Sequence, residues 1–227
     1  MHRYEAVLFD WMLTLAHYPN EREHVRRAHE ALGREVDARV LDAIVSRLIT
    51  AARDDDVVAA MARADCSVAS HRTATMHLFE RAGVDAELAA TMYGLLGEPT
   101  FHPIYQESAR VLRGLGDSSV RVAVISDIHV DLHTHAAMNE IDDYVDEWIL
   151  SCEHGIQKPD LAFFQLALDA LGVSPANALM VGDRASHDGA AAELGIDTLI
   201  LPARSEPSAV RSDRLDVVLR LVGENVV

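Results

Sequence analysis

The sequence predicts an α/β protein: a parallel sheet, doubly wound with helices on both faces, interrupted after its first strand by an all-helical insertion. Three observations carry this reading. The apolar run Ala6-Val7-Leu8-Phe9 near the N-terminus has the composition of a strand buried on both faces. From about residue 20 to 98 the apolar residues recur at helical spacing, and nothing reads as a strand. From Ile104 onward apolar strands alternate with helices, the pattern of a parallel sheet covered on both sides.

Taken in order, the strand at 6–9 ends on Asp10, and a polar stretch, AHYPNERE, follows Leu15 with Pro19 as a break. Helices are expected over 25–32, 40–52, 57–64, 73–82 and 86–96, with Gly33, Gly83 and Gly97 as stops. A helix over 105–115 ends at Gly116. Then come a strand at 120–125, a helix at 131–139, a strand at 147–150 and a helix at 160–171 stopped by Gly172. A strand at 178–181, a helix at 185–194 stopped by Gly195 and a strand at 198–201 follow. A short helix near 208–213 and an apolar segment at 217–221 close the chain. The expected domains are a core of 1–16 with 101–227 and an inserted helical domain of 17–100.

Composition narrows the function. Of 227 residues 49 % are hydrophobic, enough for a sizeable core. The net charge of −16 argues against nucleic acid and anionic membranes, whose phosphates repel such a surface. No apolar run reaches the roughly 20 residues that cross a bilayer. The polar N-terminus runs straight into a strand, so a signal peptide is not expected and the setting reads as cytoplasmic. Cys66 and Cys152 stand far apart and read as structural thiols. Of 20 basic residues only Lys158 is lysine.

The chemistry-bearing residues stand at strand ends. The first strand leads to Asp10 and Thr14, the second to Ser126 and Asp127, the third to HGIQKPD with Lys158, and the fourth to GDRASHD with Asp183 and Asp188. Right-handed crossovers bring these ends to one side of the sheet, where open α/β sheets hold their ligands. Asp10 taken alone reads equally as a turn or cap residue. Three carboxylates in one pocket, however, require a compensating cation, and Mg2+ is the usual one beside phosphate. Asp10 can then attack a phosphoryl group to form an aspartyl-phosphate, with Ser126 donating to a phosphoryl oxygen. Gly182 lets the backbone approach closely, and a helix from about Ala185 would aim its N-terminal dipole at the site.

The order and spacing of these segments resemble the haloacid dehalogenase-like hydrolase superfamily. LFDWMLTL is similar to its first motif, Ser126 to its second, Lys158 in GIQKPD to its third and GDRASHD to its fourth. The helical insertion stands where that family carries its type-1 cap. The resemblance implies Asp10 as nucleophile, with the Met12 carbonyl and Asp183 as further metal ligands, Asp188 as metal support, and Ser126 and Lys158 as phosphoryl binders. Thr14, Asp127 and Trp11 join Lys158 as candidate substrate contacts. The implied partner is a small phosphorylated molecule, with the protein a monomer or homodimer.

One position departs from the pattern. The family's phosphatases carry Asp two residues after the nucleophile, as general acid and base; here that residue is Met12, followed by Leu13 where Gly is usual. Methionine can do neither job. Three readings follow: a Mg2+-dependent phosphohydrolase with an altered acid, for which His17 is nearest in sequence; a 2-haloacid dehalogenase-type hydrolase, whose branch also lacks the second Asp; or a non-catalytic binding protein. Among the remaining residues, HVDLHTH reads as surface or capping histidines, with His129 and His133 on one helix face. Asp127 reads as a helix cap or an added carboxylate, and His102 as part of an exposed hinge.

Overall fold

The structure is a computed structural model describing residues 3–203 and 213–223. Five parallel strands, β1 (Ala6–Phe9), β2 (Arg121–Ser126), β3 (Glu147–Leu150), β4 (Ala178–Gly182) and β5 (Asp197–Ile200), lie in the order β3-β2-β1-β4-β5. The first strand is therefore central, paired with β2 from Ala6↔Arg121 to Phe9↔Val124 and with β4 from Ala6↔Ala178 to Phe9↔Val181. Strand alternation divides its side chains. Val7 and Phe9 join Val122, Val124, Leu179 and Val181 in one buried cluster, and Ala6 and Leu8 join Ala123, Ile125 and Met180 in the other.

Between β1 and β2 stand α1 (Glu21–Ala31), α2 (Ala38–Ala51), α3 (Asp55–Met61), α4 (Val68–Arg81) and α5 (Ala86–Leu95). Asn20, Asp37, Ser67 and Asp85 cap α1, α2, α4 and α5 by accepting a first-turn N–H. The Ser67 cap starts α4 five residues earlier than periodicity suggested. These helices close their own apolar cluster around Val25, Leu41, Leu48, Phe79, Leu88 and Met92.

The rest follows the predicted alternation: α6 (Gln106–Gly116), α7 (Leu132–Met138), the one-turn α8 (Ser151–His154), α9 (Leu161–Leu171) and α10 (Asp216–Gly223). Residues of α6, α7 and α10 cover the Val7–Phe9 face, and α9 covers the other. The helix expected over 185–194 is instead a 3₁₀ segment, Asp188–Leu194. The Asp188 carboxylate takes the N–H groups of Asp183 and Arg184, so a side chain organises this turn and no long helix aims at the site. Of the helix expected near 208–213, all but Asp213 lies outside the described residues, and the apolar 217–221 falls within α10. No helix among the described residues is long and apolar enough to cross a membrane.

Candidate active site

The carboxyl ends of β1, β2 and β4 meet at Lys158. Its ammonium donates to Asp10 Oδ1 and to Asp188 Oδ1, both at 2.6 Å, and all three side chains are buried. The backbone N–H of Lys158 donates to Asp127 Oδ1 at 2.8 Å, which sets the lysine's origin. Asp127 is thus an anchor for Lys158, while Asp131 caps α7 by accepting from the His133 N–H. Asp188 is held from both sides, Oδ2 accepting from Asp183 N at 3.1 Å and Arg184 N at 2.9 Å. Only glycine fits at 182, because a Cβ there would lie 2.2 Å from the Asp188 carboxyl carbon.

The charge balance is uneven. One carboxylate oxygen each from Asp10, Asp183 and Asp188 lies within 4.8 Å of the others. Burial raises the Asp10 pKa to about 6, with Asp188 and Asp127 adding to the rise and Lys158 opposing it. Asp183 is also raised to about 6, by burial and then by Asp10 and Asp188. Burial works against the charge on Lys158, yet Asp10, Asp188 and Asp127 outweigh it and hold its pKa above the ordinary value. One ammonium facing three carboxylates leaves net negative charge in a low-dielectric pocket, which favours a divalent cation.

The loop after β1 is tightly wound. Leu15 and Ala16 donate to the Trp11 carbonyl, and Leu13 donates to Ala16. Arg214 donates to the carbonyls of Leu13 and Thr14. Leu13 takes φ 60°, a left-handed conformation that costs a residue with a Cβ roughly 1–2 kcal/mol. The main-chain carbonyl of Met12 accepts no hydrogen bond from the described residues.

The expected site residues are placed as follows. Asp10, Met12, Asp127, Lys158 and Asp183 line one crevice of 140 Å³, with Leu13, Tyr18, Arg184 and His187. Ser126 ends β2 fully buried, its hydroxyl unpaired among the described residues. Thr14 is fully buried and serves the loop through its carbonyl. Trp11 does not reach the crevice lining. It is fully buried edge-on to Trp148, with ring centroids 5.9 Å apart, because its side chain points into the core beneath the sheet end.

The histidines differ more. His129 precedes α7, which starts at Leu132, so it shares no helix face with His133. It stacks face to face on His71 of α4 and lies 3.6 Å from Asp65. His102 is buried, its Nε2 on the Leu96 carbonyl at 3.1 Å, and its ring stacks on Tyr18. Arg184 and His187 were legible within GDRASHD as neighbours of the acids. Tyr18 carried no such signal, since it stands in a polar stretch that read only as a break before the helices.

A model of the haloacid dehalogenase-like hydrolase family matches residues 4–195. No curated protein matches the sequence. Among solved structures, a dehalogenase superposes with a TM-score of 0.70 at 19 % identity, covering 98 % of each chain. The L-2-haloacid dehalogenase of Xanthobacter autotrophicus, with chloropropionic acid covalently bound, gives 0.63 at 19 %, covering 96 % of this chain and 82 % of that one. A HAD phosphatase of Thermococcus onnurineus gives 0.60 at 18 %, covering 98 % of this chain and 100 % of that one.

Proposed function

The chain belongs to the haloacid dehalogenase-like hydrolase family, and from that premise we propose that it is a Mg2+-dependent phosphohydrolase acting on a small phosphorylated molecule through Asp10. The observation that supports this is the charge balance: three carboxylates within 4.8 Å of one another, with Lys158 as the one buried cation bonded to them and Arg184 at the crevice wall. An all-oxygen set of this kind suits a hard divalent cation. Asp10, Asp183 and the Met12 carbonyl would hold it, with Asp188 in support. Such an ion, when bound, neutralises the carboxylates and draws charge from the phosphoryl oxygens.

The remaining chemistry belongs to the chain. An Asp10 oxygen attacks phosphorus while the bond to the leaving oxygen breaks and its electron pair departs with that oxygen. Lys158 and the unpaired Ser126 hydroxyl donate to the phosphoryl oxygens. Solvent protonates the leaving oxygen, because Met12 has no proton to give; loss of a general acid costs typically about 10²–10⁴ in rate. Water then attacks the aspartyl-phosphate, releasing phosphate and restoring Asp10. Acyl phosphates, whose leaving groups need no proton, suit this site best. Residues 17–100 serve as a cap over a core of 1–16 and 101–227. The setting is cytoplasmic, in keeping with the free thiols of Cys66 and Cys152.

Met12 favours a second reading, hydrolysis of a carbon–halogen bond at Asp10, since halide leaves without a proton. Asp183 and Asp188 count against it, because without a cation they repel an anionic haloacid. Phosphate release from phosphomonoesters and acyl phosphates, with and without Mg2+, is set against halide release from 2-haloacids in chelator. The expected result is Mg2+-dependent phosphate release, abolished in Asp10→Asn. Halide release alone would establish the second reading. No turnover and no beryllium fluoride adduct at Asp10 would leave a binding protein.

A further inference from the structure

The crevice at Asp10 is the first of three cavities that share their walls. A middle cavity of 190 Å³ takes Met12, Tyr18 and Asp127 from the crevice lining and adds His71, His102 and His129. A third, of 390 Å³, lies inside the helical insertion; it shares Tyr18, His71 and Leu96 with the middle one and is walled by Leu48, Phe79 and Met92. Tyr18 borders all three. The three cavities therefore adjoin in the order buried charge, imidazoles, and a mainly apolar chamber that also has Glu21 and Arg53 in its lining.

The middle cavity carries unmet hydrogen-bonding capacity. His102 Nδ1 and His129 Nε2 are buried without a partner among the described residues. Burial holds His102 and His71 neutral, at pKa values of about 3 and about 4. Unpaired polar atoms of this kind cost free energy unless something in the cavity pairs with them. The far chamber has the size range of a cavity that takes an apolar ligand body. At its mouth Ile49 and Met61 are 44 % and 37 % exposed.

We infer that the substrate is amphiphilic: a phosphate at Asp10, a short connector carrying a hydrogen-bonding group beside His102 and His129, and an apolar body in the chamber between α1, α2, α4 and α5. The phosphate head rests on the function proposed above; the apolar body rests on the cavities alone. A two- or three-carbon substrate would leave both the imidazoles and the chamber uncontacted.

The test is calorimetric binding of ethyl-, butyl-, hexyl- and octylphosphonate to the full chain with Mg2+, which needs no turnover. Burial of a methylene is worth about 0.8 kcal/mol, so affinity is expected to rise about fourfold for each methylene that enters the chamber. A 2-hydroxy group on the octyl chain is expected to tighten binding severalfold. Ile49→Asp, which places a charge at the exposed mouth, and Thr75→Trp, which adds bulk at a buried position of the chamber wall, are each expected to flatten the gradient. Equal binding at all lengths, or a gradient unmoved by both variants, overturns the inference while leaving the phosphate reading intact. If no phosphonate binds but 2-chloroalkanoates show the same gradient, flattened by the same variants, the apolar body stands and the phosphate head falls.

Discussion

Two adjacent residues set the chemistry of the β1 loop. At Met12 the side chain borders the crevice yet offers neither proton nor base. Met12→Asp is expected to raise hydrolysis of ordinary phosphomonoesters by about 10²-fold or more and to leave acyl phosphates nearly unchanged, because only the former need a protonated leaving group. Steady-state kinetics on the two substrate classes checks this. Leu13 bears the backbone cost of the same turn, at φ 60°. Leu13→Gly is expected to gain about 1 kcal/mol, a rise of roughly 2–4 °C in melting temperature for a chain of this size. Met12 was legible in the sequence as a departure from a pattern. The left-handed backbone at Leu13 had only an indirect sign, a Leu where the family pattern carries Gly; the hydrogen bonds that Trp11 and Ala16 make in the loop set its φ.

Strand ends aim the site residues, and side chains rather than helices lock them. β4 ends on Gly182 so that the Asp188 carboxylate can close onto the turn that follows. Gly182→Ala is expected to push that carboxylate away from Lys158 and from the Asp183 and Arg184 N–H groups. Turnover should fall at least about 10²-fold, as misplacement of about 1 Å can cost, and Mg2+ affinity measured by calorimetry should fall with it. The strand and helix order was readable from composition, because apolar runs and 3.6-residue spacings are local properties. The stretch 185–194 was misread as one α-helix for the converse reason: the turn before Asp188 gives its N–H groups to the Asp188 side chain, which periodicity does not register, and only a 3₁₀ segment follows.

For the molecule as a whole, buried ionisable groups oppose one another as pH changes. His71 and His102 are held neutral by burial, at about 4 and about 3. Below about pH 6.5 the unfolded chain therefore takes up protons that the folded one refuses, and stability falls with pH, by about 2 kcal/mol per histidine at pH 5. Asp10 and Asp183, raised to about 6, act in the opposite sense, since the folded state binds their protons first. The melting temperature is expected to drop between pH 7 and pH 5, and to drop more steeply with saturating Mg2+, which keeps the carboxylates ionised and removes their offset. Thermal melts at the two pH values with and without the ion check both signs.

Legible in the chain alone were the parallel sheet, the helical insertion, and the four segments that bring Asp10, Ser126, Lys158, Asp183 and Asp188 to one edge. Those follow from short-range composition and from the rule that parallel strands share a carboxyl end. What surrounds them came from packing in three dimensions: Trp11 turned into the core, Asp127 tied to the Lys158 backbone, His129 stacked on His71, and Tyr18 bordering three adjoining cavities. These contacts join segments far apart in the chain, the first two within the sheet's own core and the last two across the seam between the insertion and the sheet. The last two depend on how two separately packed apolar clusters meet, and no local pattern in either segment encodes that meeting.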